Sequence, residues 1–142
     1  MSAGKSLRGR RIAKGRASGE VLRSLAPISF FGGVDPETGV VTEPGHPLEG
    51  RSVAGRVLVF PAGKGSTVGS YTLYRLARLG LAPAAIVNRE CETIVAVGAI
   101  ISEIPCVDRI PIEQLDDGVQ VEVDADSAIA TVTLLAGLHH DP

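Results

Sequence analysis

Residues 56–62 (RVLVFPA) form a short β-branched run that Gly63-Lys64-Gly65 breaks at once. Such a run fits a buried strand. Beyond the break, Ser66 stands where a helix N-cap belongs. Val68, Leu73, Leu76 and Leu79 then mark one helical face, and Gly80, with Leu81 and Pro83 beyond it, ends the helix. A strand running through glycines into a helix is an α/β element. Its connection lies at the carboxyl end of the strand, where open α/β sheets place their ligands.

The rest of the chain extends this pattern. Residues 84–87 read as a second short strand and 105–107 as a third. Between them residues 93–102 (TIVAVGAIIS) are apolar all round. That stretch is read as a helix, because ten residues is long for a strand. Val119 to Val123 alternates strictly after an Asp116-Asp117-Gly118 turn, and residues 129–134 alternate again after a turn at 124–127, which makes a hairpin. Upstream lie a short strand around residues 10–16 and a mostly apolar stretch at 21–31. Residues 34–50 (VDPETGVVTEPGHPLEG) form a loop of the length that usually carries function. The order predicts a compact α/β domain with a mixed or parallel sheet over residues 1–142, with a basic arm at 1–16 and a short tail at 136–142.

Composition narrows the function classes. Apolar residues make up 44% of the 142, enough for a real core, but aromatics are only 4% and Trp is absent, so that core must be Val, Ile, Leu and Ala. No apolar run approaches the roughly 18 to 20 residues that cross a bilayer. No apolar segment follows the basic N-terminus either, so a cytoplasmic, membrane-free protein is expected. The net charge of −2 hides an asymmetry: Lys5, Arg8, Arg10, Arg11, Lys14 and Arg16 crowd the start, whereas Arg109 is the only basic residue beyond position 100. The basic segment lacks aromatic interleaving, which disfavours nucleic acid; a solvated arm or a strand edge on an acidic partner are the other readings. Cys91 and Cys106 match no zinc or iron–sulfur spacing. A disulfide between them would be unusual in the cytosol outside hyperthermophiles, so two small buried apolar side chains are expected. His139-His140 has no further ligands nearby, and no metal site is predicted. One Asn, two Gln and one Met make a thermophile-like composition.

The strongest local signal is Gly63-Lys64-Gly65-Ser66-Thr67-Val68-Gly69-Ser70. Free backbone N–H groups and the positive end of a helix dipole meet there, so an anion or a developing alkoxide would be stabilised. It is not a nucleotide P-loop, since Leu58 stands where the first glycine belongs and Gly65 where Ser or Thr belongs. The dinucleotide pattern fails at Val68. From its residues alone the segment is either a ligand site or a tight strand-to-helix turn with Ser66 as a plain cap. Asn88, the only Asn, is by type a turn residue.

Several segments in series resemble the small subunit of aconitase X enzymes: Phe30-Phe31-Gly32-Gly33-Val34-Asp35-Pro36-Glu37-Thr38-Gly39, then His46-Pro47-Leu48, then Gly63-Lys64-Gly65-Ser66, then Asn88 and Gly98-Ala99-Ile100. The match in order and spacing spans residues 7–132. The resemblance implies a swivelling β/β/α domain of the aconitase type and a separate large subunit carrying an iron–sulfur cluster, of the 4Fe-4S kind. It implies a hydro-lyase that dehydrates a hydroxy acid. The thermophile-like composition favours (R)-5-phosphomevalonate, giving trans-anhydromevalonate 5-phosphate on an archaeal mevalonate route, with cis-3-hydroxy-L-proline as the alternative substrate. Ser66 falls on the family's catalytic serine, a base whose partner is the cluster iron as Lewis acid. Gly63, Lys64, Gly65, Thr67, Asn88 and Gly33 are the expected substrate contacts. Phe30-Phe31-Gly32-Gly33 is expected to face the partner, since interfaces favour aromatics. A non-enzymatic ligand- or RNA-binding module is the reading from a different class.

Overall fold

The structure is a computed structural model that describes residues 4–135, so the 136–142 tail and His139-His140 lie outside the described residues. Seven strands close into a barrel: β1 (Ser6–Ala13), β2 (Arg16–Arg23), β3 (Val57–Phe60), β4 (Ala85–Asn88), β5 (Cys106–Asp108), β6 (Gln120–Asp124) and β7 (Ile129–Leu134). Around the barrel the order is β1-β5-β4-β3-β2-β6-β7. β2, β3, β4 and β5 run parallel, and β6, β7 and β1 complete the ring by antiparallel pairing. The sheet is mixed, as expected, but it has no open edge, because β1 pairs with both β5 and β7.

Alternation along the parallel strands builds two cores. In β3, Val57 and Val59 turn into the barrel and meet Val21, Ala85, Val87, Val107, Val121 and Val132. Leu58 and Phe60 turn outward with Leu22 and Ile86, against Leu73, Leu76, Val95 and Ala99. All four β3 residues are therefore buried, which is why the run reads as continuously apolar. A barrel this narrow is filled by small branched side chains, and that accounts for the shortage of aromatics. Phe30 and Phe60 pack edge to face in the outer core, ring centroids 6.0 Å apart.

The outer layer consists of helices α2 (Gly69–Arg78) and α3 (Thr93–Ser102), with a helical turn α1 (Phe30–Gly33). α2 ends as predicted: Gly80 takes φ 74°, and the N–H groups of Leu81 and Gly80 donate to the carbonyls of Leu76 and Ala77. Of the four apolar residues expected on its buried face, however, Leu73 and Leu76 are buried, beside Gly69, Ser70 and Thr72, while Val68 and Leu79 are exposed. α2 and α3 touch at Gly98, where a Cβ would come within 2.7 Å of Leu73 Cδ1 and 3.2 Å of Ser70 Cα.

The basic segment is not a free arm. Arg8, Arg10 and Arg11 belong to β1, and Arg16 opens β2. Three of its charges are engaged: Arg10 grips Asp108 through two hydrogen bonds of 2.8 and 3.0 Å, Arg11 donates to the Asp126 carbonyl, and Arg16 pairs with Glu122. Asp108 is fully buried and its Oδ2 also accepts the Cys91 N–H at 2.9 Å. One carboxylate thus ties β1, β5 and the segment after β4 into the barrel seam. Asp108→Ala is expected to cost about 1.5–3 kcal/mol, the range for hydrogen bonds to charged groups. Urea unfolding checks it, and an unchanged midpoint would contradict this role.

Candidate active site

β2, β3 and β4 lie side by side and parallel, so their carboxyl ends open on one rim. The segment leaving β3 runs along the one leaving β2: Gly63 bridges Ile28 in parallel, and the Lys64 N–H donates to the Ile28 carbonyl at 3.0 Å. Beneath it sits Glu92, whose carboxylate caps α3 by accepting the N–H groups of Ile94 and Val95 at 2.8 and 2.9 Å. Gly63 lies directly on that carboxylate. A Cβ there would come within 2.3 Å of Glu92 Oε1 and 2.6 Å of Val95 Cγ2. Gly65 has φ 91°, and its Cβ would meet Ser29 Oγ at 2.5 Å. The two glycines let the loop pass between a cap carboxylate on one side and Ser29 on the other.

Ser66 is not the N-cap. Val68 is, and it makes no side-chain cap bond. Ser66 Oγ accepts the Val68 N–H at 3.1 Å, and the N–H groups of Gly69, Ser70 and Tyr71 bond to the carbonyls of Ser66, Thr67 and Val68. The first amides of α2 are therefore consumed by the turn. The N–H groups of Gly65, Ser66 and Thr67 have no partner among the described residues. A run of free amides starting at a left-handed glycine makes an anion-stabilising concavity. It lies one turn earlier than a helix-terminus site and is centred on Ser66, which is exposed.

The positive charge beside it is held from across the groove. Lys64 Nζ donates to Glu43 Oε2 at 2.9 Å. An ion pair this exposed contributes at most about 1 kcal/mol of stability. Its significance is placement. Glu43 rides on the loop following β2, which is anchored to the outer core by Val34, Val41, Leu48 and Val53. His46 braces that loop: its Nδ1 accepts the Leu48 N–H at 3.0 Å, so Nε2 carries the proton and donates to the Pro27 carbonyl at 2.9 Å. Ser29, Gly33, Glu43, Lys64 and Gly65, with Phe31 and Gly32, line an open depression of about 410 Å³.

The structure thus brings Gly33, Gly63, Lys64, Gly65, Ser66 and Thr67 to one rim. Asn88 is not on that surface. It ends β4 fully buried rather than turning in a loop, and its Nδ2 donates to the Phe60 carbonyl at 3.0 Å, joining the ends of β3 and β4. Its Oδ1 is buried without a partner among the described residues. Sequence reasoning missed Ser29, Glu43 and Glu92. The glycines hinted at close neighbours, but nothing local says which distant side chains approach them. Among the described residues no three His, Cys, Asp or Glu side chains gather to hold a metal ion, and the chain has only two cysteines, so these residues do not fit an iron–sulfur cluster.

The profile of the aconitase X swivel domain matches residues 6–132. The chain belongs to this family. Among relatives of this aconitase X chain, the phosphomevalonate dehydratase small subunit of Thermococcus kodakarensis is 57% identical over 121 residues, covering 85% of this chain and 91% of that one. The protein of the same name from Methanosarcina acetivorans is 60% identical, covering 83% and 84%. A crystal structure of Thermococcus kodakaraensis aconitase X in its holo form superposes with a TM-score of 0.89 at 55% identity, covering 93% of this chain and 99% of that one. The name small subunit shared by these relatives implies a larger partner subunit.

Two substitutions on this rim should separate packing from chemistry. Gly63→Ala forces a methyl into the Glu92 carboxylate and is expected to cost about 1–3 kcal/mol, as overpacking does. Ser66→Ala removes one exposed contact and should stay within about 0.5 kcal/mol of the parent. Equal denaturation midpoints for the two variants would contradict the packing described here.

Proposed function

We infer that this chain is the small subunit of a dehydratase that removes water from (R)-5-phosphomevalonate to give trans-anhydromevalonate 5-phosphate. The observation that carries the reading is 57–60% identity, across most of both chains, to small subunits of that name. No feature favours cis-3-hydroxy-L-proline as substrate. The nucleic-acid reading is weakened because Arg10, Arg11 and Arg16 are bound to acidic or carbonyl partners in the barrel.

Within this reading Ser66 is the base. Removing a proton from the carbon α to a carboxylate needs a strong base, and a free hydroxyl is a weak one. Its alkoxide becomes accessible only where charge is stabilised in advance. Three unpaired amides and Lys64 supply that stabilisation, and Glu43 fixes where the Lys64 charge sits. Gly63, Gly65 and Gly33 let the substrate approach the backbone, with Thr67 beside Ser66, while Asn88 holds the strand ends beneath. We assign the cluster and the departure of the hydroxyl to the large subunit, with the pair working in the cytoplasm.

The partner is proposed to sit over Phe31, Val68 and Tyr71, which are exposed around a second depression of about 540 Å³ lined also by Val34, Pro36 and Thr72. Only Phe31 of the expected Phe30-Phe31 pair faces outward; Phe30 is in the core. The patch adjoins the Ser66 turn through Val68, so a subunit covering it also closes the active site. Tyr71→Ala should weaken association with the large subunit at least about tenfold, a typical effect of truncating an aromatic anchor. Unchanged affinity by titration calorimetry would move the interface elsewhere.

In the reconstituted enzyme Ser66→Ala should lower kcat at least about a hundredfold, with little change in KM, because the lost group acts mainly in the transition state. Ser66→Gly should behave the same way. Near-parent turnover in Ser66→Gly would remove Ser66 from the mechanism.

A further inference from the structure

Cys91 and Cys106 stand 15 positions apart in sequence but meet in the fold. Cys106 and Asp108 are two residues apart on β5, so their side chains share a face of the strand. The Cys91 N–H is bound to the Asp108 carboxylate at 2.9 Å. The Cys91 side chain packs on the buried cluster that contains Cys106. Both are free thiols, Cys106 fully buried and Cys91 half-buried at the start of the segment leading into α3. Of the two buried side chains expected, only Cys106 is fully buried.

We propose that Cys91 and Cys106 are a disulfide-forming pair, oxidised by a low-molecular-weight disulfide, with Cys91 as the attacking thiol and Cys106 as the resolving one. The Cys91 thiolate attacks one sulfur of the disulfide R–S–S–R, forming a mixed disulfide and expelling one thiolate RS⁻. Cys106 then gives up its proton, and its sulfur attacks Cys91 Sγ, expelling the second RS⁻. Two protein thiols are oxidised, and one R–S–S–R is reduced to two RSH. The order of attack follows from exposure and acidity. The contact with Cys91 and burial push the Cys106 thiol up, so it carries little thiolate until a mixed disulfide forms beside it.

The consequence lies close to the active site. Cys91 immediately precedes Glu92, whose carboxylate caps α3 and carries Gly63. A Cys91–Cys106 bond would lock this segment onto β5 and close a loop containing the whole of α3. It should raise the thermal midpoint by constraining the unfolded chain. The proposal does not depend on the substrate or on Ser66.

Oxidised glutathione is the probe. The full chain, alone and in complex with its large subunit, is incubated with it, quenched with acid, and measured by intact mass and peptide mapping. The expected product is two hydrogens lighter, carries no glutathione, and yields a peptide linking Cys91 to Cys106, with a raised thermal midpoint. Cys106→Ser should instead accumulate one stable glutathione adduct on Cys91, and Cys91→Ser should remain unmodified. A stable glutathione adduct on the parent chain, or two free thiols after prolonged treatment, would overturn the proposal. Should Cys106→Ser fail to fold, the parent and Cys91→Ser still decide the question.

Discussion

The parallel register of β3 between β2 and β4, with Val57 beside both Val21 and Ala85, is the constraint on which the rest of the molecule depends. It brings three carboxyl ends to one rim and sends the chain out of each toward the same surface. Asn88 reinforces the rim by bonding across from β4 to the last carbonyl of β3. The other features of the site adapt to that geometry: Glu92 supports the loop from below, Ser29 flanks it, and Glu43 reaches Lys64 from the loop that follows β2. Loosening the register would displace all of these groups together.

Charge is distributed around this rim with economy. Stability comes from two packed cores and a buried carboxylate at the barrel seam, whereas the ion pair at the site is exposed and contributes little to it. The significance of the pair is that Glu43 fixes where the Lys64 ammonium sits at the rim. The 34–50 segment buries Val34, Val41 and Leu48 in the outer core and holds the Glu43 carboxylate in place.

Much of this was legible in sequence, for local reasons. β3, α2, β4, α3, β5 and the final hairpin all announce themselves through β-branched runs, helical spacing and glycine stops, and the span of α3 comes out as read. The closed barrel was not legible. The sequence suggests one short strand around residues 10–16, whereas the chain forms two, β1 (SLRGRRIA) and β2 (RASGEVLR); their charges mask them, because Arg10, Arg11 and Arg16 find their partners about a hundred residues away. Ser66 was legible as a special position but not as what it is. A hydroxyl before a helix reads as a cap, and only the backbone shows that the turn consumes the helix amides and leaves those of 65–67 free. The neighbours of the glycines were hidden for the same reason as the barrel: they come from segments remote in sequence.

In the function proposed above, Ser66 meets the substrate across the boundary between two chains. The most direct measurement is the structure of the reconstituted complex with (R)-5-phosphomevalonate bound. Ser66 Oγ should lie roughly 3 Å from the substrate's α-carbon, with the amides of residues 65–67 around that oxygen and Phe31 and Tyr71 under the large subunit. A substrate enclosed by the large subunit alone, with Ser66 turned to solvent, would contradict it.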